Sequence, residues 1–179
     1  GERLAMDYAG ETCVVGTPLY DSGKGNVHVW TRSGSTWTEQ QDISNPLSIG
    51  SFGSSVDITS DGNMIIIGAS GSNRIYIYER SGSTWTETAS FDADDTTSGH
   101  ELGKFVQVND NKDKFIASSP GQTDGATYYF KNAENVFTIT PHSSQASNFD
   151  VVISVSDGVY QVDTTTNIIV SNDPLSTIT

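Results

Sequence analysis

Two stretches of this chain nearly copy each other. Thr31-Arg32-Ser33-Gly34-Ser35-Thr36-Trp37-Thr38-Glu39 returns as Glu79-Arg80-Ser81-Gly82-Ser83-Thr84-Trp85-Thr86-Glu87. The register extends backward, with Val27-His28-Val29-Trp30 matching Ile75-Tyr76-Ile77-Tyr78 and Val14-Val15-Gly16-Thr17 matching Ile66-Ile67-Gly68-Ala69. A more diverged third copy follows. Phe52-Gly53 with Val56 returns as Leu102-Gly103 with Val106, Ala126–Lys131 replaces the Tyr-rich strand, and Phe137 stands where Trp37 and Trp85 stood. A period of roughly 50 residues belongs to propellers and arrays, in which each unit cannot bury its apolar face alone.

Each unit reads as four short strands. In the second copy, Phe52–Thr59 alternates and meets Ser60-Asp61-Gly62-Asn63. Asp-Gly between apolar runs predicts a two-residue hairpin with positive φ at both central positions. Met64–Ala69 is a continuous apolar run, as in a strand buried on both faces. Arg74–Arg80 and Thr84–Phe91 follow, separated by Ser81-Gly82-Ser83. Helical periodicity is missing beyond about two turns. Four antiparallel strands at this period describe a propeller blade.

The residues that carry this pattern are similar to a known family. Phe52-Gly53-Ser54-Ser55-Val56, Asp61-Gly62, Ile67-Gly68-Ala69-Ser70 and Ile75-Tyr76-Ile77-Tyr78 resemble the FG-GAP repeat of integrin α-subunit propellers. They resemble still more closely the microbial and viral repeats that join this pattern to a Ser-Gly-Ser-Thr-Trp hairpin. The resemblance covers residues 4 to about 140 and is loosest in the third copy, where Ala117-Ser118-Ser119-Pro120 replaces the Gly-Ala-Pro element. It implies an extracellular interaction platform.

The expected fold is all-β: a partial β-propeller of about three four-stranded antiparallel blades, followed by a short β-hairpin or sandwich-like segment. The blades fall at about 4–49, 50–99 and 100–141, within a propeller region 1–141, and the C-terminal segment is 142–179. Leu4 aligns with Val56, so the first copy is expected to lack its opening strand. Propellers close with about four to eight blades. Three would leave apolar faces exposed, so three ways to complete the array are expected: a longer parent chain, partner chains, or a late strand at Phe149–Val155. The opening Gly1 fits a processed product or a piece of a longer chain. In the C-terminal segment, Asn148–Gly158, Val159–Val162 and Asn167–Val170 read as strands and turn, similar to the closing hairpin of cadherin-like or Ig-like modules.

Charge and composition exclude several partners. The chain carries 22 acidic against 9 basic residues, net −13. Such a surface repels phosphate backbones and anionic membranes, and the longest strongly apolar run, Met64–Ile67, is far too short to span a bilayer. The single cysteine, Cys13, forms neither an internal disulfide nor a Cys-based zinc site and reads as a small buried strand residue.

No catalytic set emerges. Gly68-Ala69-Ser70-Gly71 lacks the nucleophile-elbow spacing, and His28, His100 and His142 lie in separate segments without a ligand-spaced pair. The calcium residues implied by the resemblance do not carry over. Asp57, Asp61 and Asn63 end at Met64; Asp7 and Glu11 end at Thr12; Asp110, Asn111 and Asp113 end at Lys114. Tight hairpins are the expectation there, and Asp92, Asp94, Asp95 with Glu101 make a candidate calcium loop. Trp37, Trp85 and Phe137 are expected to pack between adjacent blades. Tyr76, Tyr78, Tyr128 and Tyr129, with Trp30, could present aromatics to a ligand.

The leading functional expectation is a non-enzymatic structural or adhesion protein of a cell exterior or virion surface, whose partners are other proteins or copies of itself. No Asn-x-Ser/Thr sequon occurs, which favours a microbial, algal or viral source. Alternatives are a carbohydrate-binding module for a host or matrix glycan, using the Tyr residues, and a non-catalytic part of a larger secreted enzyme. No cofactor is expected apart from a possible calcium ion.

Overall fold

The structure is a computed structural model; it describes residues 1–47, 50–92, 98–121, 125–131, 149–156 and 161–168. The chain divides into two compact units, Gly1–Asn132 and Ala133–Thr179. The second contains an antiparallel hairpin, Phe149–Ser156 with Gln161–Ile168. The strand expected at Phe149–Val155 is present as Phe149–Ser156 and pairs with Gln161–Ile168. The two strands expected at Val159–Val162 and Asn167–Val170 are replaced by the single strand Gln161–Ile168. The expected turn at Asp157-Gly158 lies outside the described residues.

The first unit is built of three antiparallel sheets in sequence order. Sheet 1 is β1 (Arg3–Met6), β2 (Thr12–Thr17), β3 (Asn26–Ser33) and β4 (Thr36–Ser44). Sheet 2 is β5 (Phe52–Ile58), β6 (Met64–Ala69), β7 (Arg74–Ser81) and β8 (Thr84–Phe91). Sheet 3 contributes β9 (Val106–Val108), β10 (Lys114–Ser119) and β11 (Ala126–Lys131) among the described residues. The part of its copy that contains Phe137 lies outside them. The first copy does have an opening strand: Leu4 pairs with Val15 and Met6 with Cys13. By that register Gly1 stands at the position of Gly53.

The two complete sheets share fine detail as well as order. Gly34 and Gly82 sit at positive φ as first residues of two-residue turns, while the following serines do not, the pattern of a type II′ hairpin. The register slips by one residue between Val29 and Trp30 in sheet 1 and between Ile77 and Tyr78 in sheet 2. The extra residues, Gln40 and Thr88, are bulges at equivalent positions.

The hairpin at Asp61-Gly62 differs from the expected two-residue turn. Only Gly62 has positive φ, Thr59 N–H donates to the Met64 carbonyl at 3.0 Å, and Gly62 N–H donates to the Thr59 carbonyl at 2.9 Å. Four residues thus lie in the loop. The extra length lets the residue that closes the loop on its first side cap the second strand. Thr59 Oγ1 accepts from Met64 N–H, Asp7 Oδ1 from Thr12 N–H and Asn109 Oδ1 from Lys114 N–H. Three different side chains perform one task, so the loop has a structural reason without a cation.

The sheets stack face to face. Val14, Val27, Val29 and Ile43 of sheet 1 meet Ile65, Ile67, Tyr76, Tyr78 and Trp85 of sheet 2. The opposite face of sheet 2, with Met64, Ile66, Ile75 and Ile77, meets Phe115, Ala117 and Val108 of sheet 3. Sheet 2 is therefore covered on both sides, which is why Met64–Ala69 is buried at every position. β5 is buried almost throughout, so the expected alternation of Phe52–Thr59 does not appear in its burial. Close approach of backbones sets the stacking. A Cβ on Gly16 would overlap the Gly53 carbonyl, and one on Gly68 would overlap the Gly103 carbonyl. The Gly residues shared by the copies are thus the points where one sheet touches the next.

Candidate functional site

Packing assigns each sequence-predicted residue a place. Trp85 is 2% exposed and lies against the outer strand of sheet 1. Its backbone N–H donates to Gln41 Oε1 at 2.7 Å, its carbonyl accepts from Gln41 Nε2 at 2.9 Å, and its indole Nε1 donates to Gln40 Oε1 at 2.9 Å. A side-chain amide here pairs with a neighbouring strand as a peptide group would. The guanidinium of Arg80 lies over the same ring at 5.8 Å. Trp85 thus lies between sheets 1 and 2.

Trp37 occupies the identical local setting, with Arg32 over its ring at 6.0 Å, yet it is 40% exposed. Its face of sheet 1 also carries Cys13, Val15, His28 and Trp30, all half-buried. These positions match Ile65, Ile67, Tyr76 and Tyr78, the face that sheet 2 buries against sheet 1. Among the described residues, no sheet of the first unit packs on this face. At the other end, Ile116 and Tyr129 are cross-strand partners on the outward side of sheet 3 and are both exposed. A cleft of about 470 Å³ runs along the opening strands, lined by Leu4, Met6, Val56, Phe105, Val106 and Ile116. Phe137 lies outside the described residues.

The Tyr expectation needs correction. Tyr76 and Tyr78 are 1% and 6% exposed inside the first core, because the next sheet covers their face. Burial and the nearby Glu87 raise the Tyr78 phenol above its ordinary range. Tyr128 packs against the second core, and Tyr129 alone of the four is open, at 61%. A ligand platform on Tyr76 and Tyr78 is therefore closed off by the stacking that the repeat requires.

The calcium candidates do not converge among the described residues. Asp92 pairs with Arg74 at 2.7 Å and Glu101 with Lys104 at 3.1 Å, while Asp94 and Asp95 lie outside the described residues. The hairpin carboxylates also have other work. Asp57 accepts from Val108 N–H at 2.9 Å, and Asp110 accepts from Ser60 N–H at 3.0 Å, both linking sheet 2 to sheet 3. Burial raises the Asp57 carboxyl above its usual range in spite of that bond. Burial also acts to raise Asp61, but hydrogen bonds from Lys112, Thr59 and Asn63 outweigh it and hold the group well below the carboxylate range. Cys13 is half-buried, and its thiol is raised by burial and by Asp7.

One cluster was not anticipated. His28 on β3 and Glu39 and Asp42 on β4 bring one ligand atom each within 4.8 Å of one another. His28 Nδ1 lies 2.6 Å from Glu39 Oε1. The aligned repeat held the signal: His28 stands at the position of Tyr76 and Asp42 at that of Ser90, while Glu39 keeps its counterpart Glu87.

No family model matches the chain, and no curated protein matches it. Among solved structures, the hydrazine synthase of Kuenenia stuttgartiensis superposes with a TM-score of 0.53 at 16% identity, over 73% of this chain and 33% of its own. A functionally unknown protein from Desulfotomaculum acetoxidans gives 0.53 at 12% identity, over 72% of this chain and 38% of its own. The chain thus spans 33% and 38% of the two structures, and likeness at these identities bears on fold alone.

Proposed function

We propose that this chain is a non-enzymatic module of propeller type, in the manner of FG-GAP repeats, that serves as an interaction and assembly platform on a cell exterior or virion surface. One observation carries the reading. The face of sheet 1 that bears Trp37 has the residue pattern of a face that sheet 2 buries, and among the described residues no sheet of the first unit covers it. Its natural occupant is another sheet of the same kind, from a partner protein or from a second copy. Exposed large aromatics in a well-formed apolar surface are the residues from which association energy is drawn. The acidic surface, net −13, favours protein partners over nucleic acid or anionic lipid.

Sedimentation equilibrium of the purified chain tests this. Association that rises with concentration and is lost in Trp37→Glu is the expected result. A stably folded particle of 19.2 kDa at every concentration, unchanged by Trp37→Glu, would overturn the open-array reading.

A further inference from the structure

The His28, Glu39 and Asp42 cluster arises from one backbone feature. In a regular strand, residues three apart point to opposite faces. The bulge at Gln40 resets the alternation in β4, so Glu39 pairs with Trp30 and Asp42 with His28. Trp30 and His28 share a face of β3, so their cross-strand partners share it too. The same bulge in sheet 2 aligns Tyr78 with Glu87 and Tyr76 with Ser90, giving aromatics and a hydroxyl. Only sheet 1 turns this position into an imidazole and two carboxylates.

A second observation points into the cluster. Asn26, 2% exposed, aims its Nδ2 at Asp42 Oδ1, while its own Oδ1 has no partner. Such fixing of a carboxylate by a buried amide is the arrangement found behind metal ligands.

We propose that His28, Glu39 and Asp42 form a binding site for a divalent transition metal of the zinc class, with Asn26 orienting Asp42. The donor set decides the class. Imidazole nitrogen with carboxylate oxygens suits zinc, whereas calcium seeks six to eight oxygens. Zinc–ligand bonds of about 2.0–2.2 Å place tetrahedral ligand atoms about 3.4 Å apart. The present spacings, from 2.6 Å between His28 and Glu39 up to 4.8 Å, bracket that value. Rotation of exposed side chains closes the difference, and the metal replaces the His28–Glu39 hydrogen bond. Three protein ligands leave a fourth position for water or a group from outside. The site lies on the same face as Trp37: Tyr76, the counterpart of His28, is 1% exposed beneath its neighbouring sheet, while Glu87, the counterpart of Glu39, stays exposed, so a docked sheet would cover the imidazole and leave the carboxylate edge open.

The test is calorimetric titration of the full chain, freed of metal by chelator, with zinc chloride alone. One zinc per chain is expected, undisturbed by excess magnesium or calcium. His28→Gln and Asp42→Asn should each weaken it by about tenfold or more, with far-UV circular dichroism and metal-free melting unchanged. X-ray absorption of the zinc-loaded chain should show a single imidazole among oxygen ligands. Absence of zinc binding, binding undiminished by either substitution, or competition by millimolar calcium would each overturn the assignment.

Discussion

The two tryptophans of the repeated hairpin form an experiment already built into the chain. Both sit just after the equivalent turn, on the fourth strand of their sheet, under an arginine. They differ in whether a neighbouring sheet covers them, with exposures of 2% for Trp85 and 40% for Trp37. Over a side chain of roughly 250 Å², that difference is about 95 Å², which at about 25 cal/mol/Å² gives about 2.4 kcal/mol. The indole hydrogen bond to Gln40 adds about 1 kcal/mol. Trp85→Ala is therefore expected to destabilise the first unit by about 3 kcal/mol more than Trp37→Ala, within the range of aromatic truncations in cores. Urea unfolding followed by far-UV circular dichroism, at a concentration low enough to keep the chain monomeric, measures both values. Equal losses, to within about 0.5 kcal/mol, would mean that stacking of sheet 2 on sheet 1 does not stabilise the unit, and the face-to-face account would fail.

Two further outcomes follow from the contacts between and within sheets. Gly68→Ala drives a methyl group into the Gly103 carbonyl and Ser55 Oγ, and should cost about 3 kcal/mol or more by thermal melting. Gly82→Ala, with open space around it but φ of 63°, should cost only about 1–2 kcal/mol; a reversal of that order would refute the backbone-contact reading. Asp61 is held below the carboxylate range, so it adds stability above its ordinary value of 3.8 and loses that contribution as the pH falls. Asp61→Asn should flatten the acid side of the stability profile below about pH 4, and the wild-type slope should shrink with salt because its Lys112 partner is partly exposed.

Some of this was readable in the sequence and some was not. The near-identity of the Ser-Gly-Ser-Thr-Trp segments exposed the repeat, and with it the four strands of sheets 1 and 2 and a doubly covered β6. Alternation along β7 puts Ile75 and Ile77 on one face and Tyr76 and Tyr78 on the other, but alternation alone does not show that both faces are buried. Turn propensity marked Asp61-Gly62 without giving the loop length, because that depends on Thr59 capping Met64 across the hairpin. The zinc-class cluster was hidden in the same way. Glu39 and Asp42 share a face only through the bulge at Gln40, which no residue type announces.

The linear order of residues by itself determined that this chain forms antiparallel sheets of one kind repeated, since strand periodicity, glycine turns and apolar runs are local properties. Tertiary structure alone decided which aromatics are core and which are surface. Burial belongs to the neighbour a sheet acquires, and Trp37 and Trp85, alike in everything local, differ only in having one.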